Sequence, residues 1–179
     1  NVKRFILAST VYVSSRDGGI YRISKQACES LTKEYFDRYG LGYTVLRYGS
    51  IYGPRADQHN GLFRIVSSAL KTGVVSYSGH RDALREYIHV DDVATASVDI
   101  LSPEFENKNI VLTGHQMMKV ADLLQMLSEI LGFNGEIQFT DQSQEGHYIR
   151  TPYSHHPDLS MKYIPPVYVD IGQGLLQLV

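Results

Sequence analysis

Short apolar runs alternate with amphipathic helical segments along most of this sequence. The run "RFILAS" (4–9) is continuous and ends in small side chains, which is typical of a buried parallel strand. Residues 21–39 then carry apolar side chains at helical spacing, and "YTVLRY" (43–48) is rich in β-branched and aromatic residues. A strand, a helix and another strand in this order predict an α/β fold with a mostly parallel sheet.

The same alternation continues to about residue 139, after which the periodicity fades into a polar stretch. "GSIYGPR" predicts a loop at 49–55, because glycine and proline interrupt regular structure. The further predicted helices are 61–72, 93–101, 119–131 and a short one near 170–178, and the further predicted strands are 74–77, 85–90, 109–113 and 136–139. Gly40 is predicted to end the first helix, and Asp91 and Asp92 are predicted to cap the helix at 93–101. Two ion pairs are predicted on the first helix from their spacing of four residues, Glu29–Lys33 and Glu34–Arg38.

The first helix begins with a tyrosine and a lysine four residues apart, Tyr21 and Lys25. Side chains at this spacing share one face of a helix, so the lysine ammonium can lie close to the phenol. A nearby cation in a partly desolvated pocket stabilises a phenolate, which can exchange a proton with a substrate hydroxyl. Ser9 and Thr10, at the end of the preceding strand, are the candidates to hold the substrate oxygen. The pair alone fits an exposed helix start equally well.

Composition excludes several classes of function. The net charge of -2 provides no basic field for nucleic acid or for an acidic membrane surface. No run approaches the roughly 18 consecutive apolar residues of a membrane span. The single cysteine, Cys28, has no partner for an internal disulfide, which fits a reducing cytoplasm.

Four segments occur in a recognisable order: "FILASTVY", "YRISKQACE", "LGYTVLRYGSIYGPR" and "LREYIHVDDVATA". Together they resemble the extended short-chain dehydrogenase/reductases, in particular the NAD-dependent nucleotide-sugar epimerases and dehydratases. The resemblance covers roughly residues 4 to 97, and the later elements keep the family's order. It implies a doubly wound, Rossmann-type parallel sheet and an NAD cofactor, with NADP left open.

The resemblance also implies roles for individual residues. It implies that Tyr21 is the catalytic acid/base and Lys25 its partner. It also implies that Thr10 is the hydroxyl that orients the substrate, with Ser9 as the second candidate. Its cofactor contacts are Tyr21, Lys25, Tyr48 and Ile51. Its substrate contacts are Thr10, Ser50, Asn60, Arg85 and Arg150, of which Arg85 matches an arginine that grips a nucleotide diphosphate.

The implied organisation has two parts. Residues 1–55 are expected to be the C-terminal part of a Rossmann core, and residues 56–179 mostly a smaller substrate-binding part, with about 85–105 returning to the core. The family resemblance further implies a nucleotide-sugar substrate, a homodimer and a cytoplasmic location.

The sequence departs from the family pattern in several places. None of its fifteen glycines forms the glycine-rich turn that binds a dinucleotide, so we expect a C-terminal fragment that is inactive alone. Val11 and Tyr12 stand where a dehydratase has Asp-Glu, which favours epimerisation or simple oxidoreduction. Ser50 replaces the usual asparagine, and the loop before Tyr21 is short.

Two other hypotheses remain open from the sequence. The seven histidines, above all "SHHP" (154–157), suggest a metal, but no known ligand spacing is present and we expect no metal site. The rival to an epimerase is a non-catalytic member of the same fold that binds a nucleotide sugar or a protein partner. Ser50 and the short loop favour that rival.

Overall fold

The computed structural model describes residues 2–140, 148–150 and 160–179. The strands in chain order are β1 Arg4–Thr10, β2 Gly42–Tyr48, β3 Ser50–Tyr52, β4 Ser76–Tyr77, β5 Leu84–Arg85, β6 Tyr87–His89, β7 Lys108–Leu112, β8 Met118–Lys119, β9 Gln138–Phe139 and β10 Ser160–Lys162. The helices are α1 Gly19–Tyr39, α2 Gly61–Thr72, α3 Val90–Asp99, α4 Val120–Ile130 and α5 Ile171–Leu176.

The main sheet contains four parallel strands in the order β1-β2-β7-β10. Ser9 lies opposite Arg47 and Thr10 opposite Tyr48 in its register. Because the strands are parallel, their carboxyl ends meet at one edge of the sheet, where α/β proteins place their ligands. The predicted parallel pairing of the first two strands is confirmed.

The helix that follows β1 begins and ends at glycines. Gly18 and Gly40 flank α1 with φ angles of 95° and 64°, which glycine adopts without the steric cost that a side chain adds. The predicted stop at Gly40 is therefore confirmed, and the helix begins two residues before Tyr21. This places Tyr21 in the first turn, next to the carboxyl end of β1.

Three local predictions were wrong. The segment 49–55 is not all loop, because Ser50–Tyr52 pairs in parallel with Tyr87–His89. The predicted strand 85–90 is divided between two sheets, with Leu84–Arg85 pairing antiparallel to β8. His89, not an aspartate, caps α3, since its Nδ1 accepts a hydrogen bond from the Asp91 backbone N–H at 3.3 Å. In each case the partner lies far along the chain or is an uncommon capping residue.

Two of the apolar clusters pack between different secondary-structure elements. The first lies between the main sheet and α3, and it comprises Leu46, Ile88, Ala96, Ile100, Phe105, Ile110 and Leu112. The second joins α2 to α4, and it comprises Val66, Ala69, Val75, Ala83, Val120, Leu124 and Leu127. Among the described residues, no helix has the length and apolar character of a membrane span.

Candidate active site

Lys25 connects α1 to the carboxyl end of β1. Its Nζ donates a hydrogen bond of 2.9 Å to the Ala8 carbonyl and lies 6.0 Å from the centroid of the Tyr21 ring. Tyr21 itself is 52% exposed, so its phenol is open to solvent or to a ligand. The Lys25 ammonium and the Tyr21 ring therefore lie on one face of α1, and the catalytic role of the two residues stays a prediction.

The hydroxyls of Ser9 and Thr10 differ in whether their proton is already donated in a hydrogen bond. Ser9 is buried, and its Oγ donates a hydrogen bond of 2.6 Å to Oε1 of Glu29. Thr10 is buried too, but its Oγ1 accepts a hydrogen bond from the Tyr12 backbone N–H at 3.3 Å. A hydroxyl has one proton to donate, and Thr10 has not used its own in this contact. Of the two, Thr10 is the better donor to a substrate oxygen.

Glu29 has a different partner from the one predicted. Instead of pairing with Lys33, its carboxylate accepts from Arg47 Nε at 3.0 Å and from Arg47 Nη2 at 2.7 Å. Lys33 pairs with Asp37 instead, and the predicted Glu34–Arg38 pair is confirmed. The prediction for Glu29 was wrong because this side chain faces the sheet, where the buried guanidinium of Arg47 on β2 competes for it.

A cavity of about 570 Å³ opens beside these strand ends. The described residues that line it are Tyr12, Ser50, Ile51, His59, Asn60, Gly61, Leu62, Arg64, Ile65, Ser68, Ser76, Tyr77, Ser78, Arg85 and Tyr87. The structure thus brings four predicted site residues together: Ser50, Ile51, Asn60 and Arg85. Polar and charged side chains are more numerous than apolar ones in its lining, and a cavity of this size can hold a polar small molecule.

Arg85 is held rigidly in the wall of the cavity. Its Nη1 donates to the Leu84 carbonyl at 2.9 Å and to the Tyr148 carbonyl at 2.6 Å. Its guanidinium carbon also lies 4.6 Å from the centroid of the Tyr148 ring. Both hydrogen bonds that Arg85 donates within the described residues come from Nη1, so Nε and Nη2 have no acceptor there. A planar guanidinium held in this way is suited to binding an anion.

Asn60 and Ser50 make contacts with the protein itself. Asn60 Oδ1 accepts from the Phe63 backbone N–H at 3.1 Å and caps α2, while its Nδ2 donates to the Ile51 carbonyl at 2.8 Å. Ser50 hydrogen-bonds the phenol of Tyr148. Burial raises the pKa of that phenol, and the nearby Arg85 charge and the Ser50 hydrogen bond partly oppose the rise.

Tyr48 and Arg150 are not among the described residues that line the cavity, and neither is the predicted catalytic group of Tyr21, Lys25, Ser9 and Thr10. The phenol oxygen of Tyr48 is 3.4 Å from Ser97 Oγ on α3, and its ring packs against the first apolar cluster. Arg150 is exposed. The roles proposed for Tyr48 and Arg150 as cofactor and diphosphate contacts stay predictions, with no support from these positions.

Tyr12 is a site residue that sequence reasoning missed. Its ring centroid lies 6.4 Å from that of Tyr21 and 5.1 Å from that of Tyr148, and it lines the cavity. Burial raises the pKa of the Tyr12 phenol well above its ordinary value, so the phenol stays protonated and can donate a hydrogen bond. Its position two residues after the end of β1 could have identified it from the sequence. In the sequence, that position indicated only that the Asp-Glu of a dehydratase is missing.

The histidines do not assemble a metal site in the described part of the chain. No group of three or more His, Cys, Asp or Glu side chains converges there with metal-binding geometry. The segment "SHHP" (154–157) lies outside the described residues. Cys28 is half-buried on α1.

Comparisons with known proteins agree with this arrangement. The model of the NAD dependent epimerase/dehydratase family matches residues 1–114, which is more than half of the 179 residues. The chain belongs to this family. The resemblance inferred from the four sequence segments is thereby confirmed, and the family's match covers both the Tyr21 helix and the Arg85 strand.

Two relatives illustrate how much of the family's length this chain contains. The "Putative UDP-glucose 4-epimerase" of Methanocaldococcus jannaschii is 30% identical over 162 residues, which cover 89% of this chain and 52% of that protein. The UDP-glucuronate 4-epimerase of Thermodesulfobacterium geofontis is 25% identical over 113 residues, covering 63% of this chain and 35% of that protein. The chain therefore spans about half, or less, of these family members.

Solved structures confirm the fold class. The UDP-glucose 4-epimerase of Thermotoga maritima superposes with a TM-score of 0.79 at 24% identity, covering 99% of this chain and 63% of that chain. The UDP-glucuronic acid 4-epimerase of Bacillus cereus gives a TM-score of 0.80 at 20% identity, covering 99% of this chain and 60% of that chain. The predicted α/β fold of Rossmann type is confirmed.

Proposed function

We propose that this chain is the proton-transfer and substrate-binding part of an NAD(P)-dependent epimerase acting on a nucleotide-activated sugar. One observation carries the proposal: the Lys25 ammonium is fixed on the Ala8 carbonyl beside the Tyr21 ring. That contact sets a phenol and a cation together at the carboxyl end of β1. The Tyr21 ring lies 6.4 Å from the ring of Tyr12, which lines the cavity that contains Arg85.

In this proposal the residues divide the work on one sugar hydroxyl. Tyr21, beside the Lys25 cation, takes the proton of the hydroxyl on the carbon that changes configuration. Thr10 donates its free hydroxyl proton to the same substrate oxygen and so orients it. When the sugar has turned its other face, Tyr21 returns the proton to the oxygen. Arg85 holds the diphosphate throughout, so that the sugar is the only part that moves.

NAD, when bound, accepts the hydride from that carbon and gives it back. The described residues fit the nicotinamide end of such a cofactor, because Lys25 has used one of its three donors on Ala8 and two remain for ribose hydroxyls. Tyr21 and Lys25 are the residues that would hold it. The sequence contains no Gly-x-Gly-x-x-Gly run for a pyrophosphate.

The comparisons support the choice of substrate and cofactor class. A related protein is described as a UDP-glucuronate 4-epimerase, and the Thermotoga maritima structure contains UDP-glucose. The structure of the Bacillus cereus enzyme contains UDP-glucuronic acid and NAD. By contrast, the structure of RMD from Pseudomonas aeruginosa contains NADPH, so the nicotinamide cofactor is assigned here only as NAD(P).

Replacing Tyr21 with phenylalanine in the protein as it is naturally expressed tests the proposal. We expect turnover of the nucleotide sugar to fall at least about a hundredfold, because general acid–base catalysis contributes about 10²- to 10⁴-fold. Binding of the nucleotide sugar should be retained. Tyr35→Phe is the matched control, since Tyr35 is a similarly exposed tyrosine on the same helix.

The second candidate is a non-catalytic nucleotide-sugar or protein-binding member. The hydrogen bond from Ser9 to Glu29 favours it, because that contact removes one of the two substrate-orienting hydroxyls. If the wild-type protein binds UDP-, GDP- or dTDP-sugars but converts none of them, that result supports this candidate and overturns the first.

We also propose a cytoplasmic location and a boundary near residue 55 between the Rossmann core and the substrate-binding part. The second apolar cluster, which contains no residue before 56, supports the boundary.

We further propose a homodimer formed through α1. Several large apolar side chains on α1 are more than half exposed and support the dimer: Ile20, Ile23, Leu31, Tyr35 and Tyr39. Size-exclusion chromatography with light scattering tests the dimer, and an Ile23→Glu variant should be monomeric.

A further inference from the structure

The cavity beside the strand ends has an unbalanced set of charged groups. Arg64, Arg85 and His59 line it, whereas no aspartate or glutamate occurs among its described lining residues. Three serine hydroxyls, from Ser68, Ser76 and Ser78, complete that part of the wall. Guanidinium groups with hydroxyls and without carboxylates are the chemistry that recognises phosphate.

One arginine does not match the charge of the proposed ligand. The diphosphate of a nucleotide sugar carries one negative charge on each of its two phosphates, and the proposed function assigns it only to Arg85. A partly buried anion is costly unless its charge is compensated, so a second cation is expected in the same cavity. The sequence suggested Arg150, but that side chain is not among the described lining residues.

Arg64 is available for this role. It lies in the first turn of α2, four residues before Ser68, so both side chains lie on the face of the helix that borders the cavity. Its side chain is exposed, and within the described residues its guanidinium makes no hydrogen bond or ion pair. Unlike Arg85, which the Leu84 and Tyr148 carbonyls hold in place, Arg64 is able to move onto a ligand.

We propose that Arg64 is a second diphosphate-binding residue, which closes from α2 onto the phosphates that Arg85 holds from β5. The inference rests on the proposed function, because it takes the ligand to be a nucleoside diphosphate derivative. Arg85 provides a preorganised contact and Arg64 a mobile one, so Arg64 contributes affinity for the second phosphate charge and does not take part in proton transfer.

Ligand affinity measured by calorimetry on the protein as it is naturally expressed tests the assignment. UDP, GDP and dTDP are screened, and the tightest-binding diphosphate is then compared with its monophosphate and its nucleoside on the wild type and on Arg64→Gln. Lys71→Gln is the matched control, because Lys71 is an exposed cation on the same helix that does not line the cavity. Circular dichroism verifies that both variants are folded.

We expect Arg64→Gln to weaken diphosphate binding about tenfold or more, as charge-assisted hydrogen bonds to phosphate contribute at this level. Nucleoside affinity should stay within about twofold, the error range of such a comparison, and Lys71→Gln should behave like the wild type. Unchanged diphosphate affinity, or an equal loss for the nucleoside, overturns the role of Arg64 while leaving the proposed function standing. UDP-glucuronate is titrated alongside UDP. A loss of affinity confined to UDP-glucuronate assigns Arg64 to a sugar carboxylate and overturns the diphosphate role. A wild type that binds none of the three diphosphates overturns both proposals.

Discussion

Glu29 on α1 and Arg47 on β2 form a bidentate ion pair, with Nε–Oε1 and Nη2–Oε2 distances of 3.0 Å and 2.7 Å. The Glu29 and Arg47 side chains are only 14% and 7% exposed, and Ser9 donates a third hydrogen bond to the carboxylate. Glu29 follows Lys25 by one helical turn, so successive turns of α1 are attached to Ala8 and Ser9 of β1. This pair therefore fixes the helix that carries Tyr21 against the sheet.

Glu29→Ala is expected to destabilise the fold by about 3 kcal/mol, because removing one partner leaves the other charge buried. The control is Glu34→Ala on the same helix, whose pair with Arg38 is exposed and should contribute less than about 1 kcal/mol. Urea unfolding curves give both values. Equal effects of the two substitutions would show that the buried pair does not hold α1 in place.

Arg85→Lys is expected to weaken binding of a nucleoside diphosphate by roughly ten- to a hundredfold. A lysine provides a single point charge, whereas the arginine donates to two carbonyls and stacks on Tyr148. Among the described residues, its Nε and Nη2 have no acceptor and so can bind a phosphate. Calorimetric titration measures the change. Arg81→Lys serves as control, since Arg81 contacts the Phe139 ring outside the cavity, and an equal loss there would exclude a specific role for Arg85.

Asn60→Asp and Asn60→Ala should separate the two contacts of this residue. The aspartate keeps an acceptor for the Phe63 N–H but loses the donor to the Ile51 carbonyl, while alanine loses both contacts. We expect a loss of about 1 kcal/mol for the aspartate and about 2 kcal/mol for alanine. Thermal unfolding provides the measurement, and alanine proving no worse than aspartate would contradict a capping role.

Asp92 predicts a pH dependence of stability. It is 8% exposed and accepts hydrogen bonds from the Val169 N–H at 3.0 Å and 3.1 Å, and burial raises its pKa above the ordinary 3.8 despite those bonds. The folded state therefore holds the proton more tightly than the unfolded state. The contribution of Asp92 to the free energy of unfolding is therefore fully present below about pH 4, and it is lost as the pH rises through the raised pKa.

Urea unfolding of the wild type and Asp92→Asn between pH 3 and pH 7 measures this dependence, since other carboxyl groups cancel in the difference. We expect the wild type to lose stability relative to the variant as pH rises. Asp91→Asn is the control, because that neighbouring side chain is 71% exposed. A difference that stays flat, or that rises with pH, would contradict the buried-carboxyl explanation.

Much of the fold was predictable because its signals are local. The apolar run of β1, the helical periodicity of α1 and the stop at Gly40 each depend on residues within a few positions of one another. The fourth strand of the main sheet was not predicted. Ser160–Lys162 has no apolar pattern, and it becomes a strand only because β7 offers it a parallel edge.

By itself the sequence determined the alternation of strands and helices, the pairing of Tyr21 with Lys25 on one helix face, and the family to which the chain belongs. The tertiary structure decided which partners those residues meet. In the folded protein, Glu29 accepts hydrogen bonds from Ser9 and Arg47. The Tyr12 ring lies between those of Tyr21 and Tyr148. Arg64 lines the same cavity as Arg85. Spacing along a helix is a local property of the chain, whereas contacts across tens of residues depend on how whole elements pack, which no local pattern encodes.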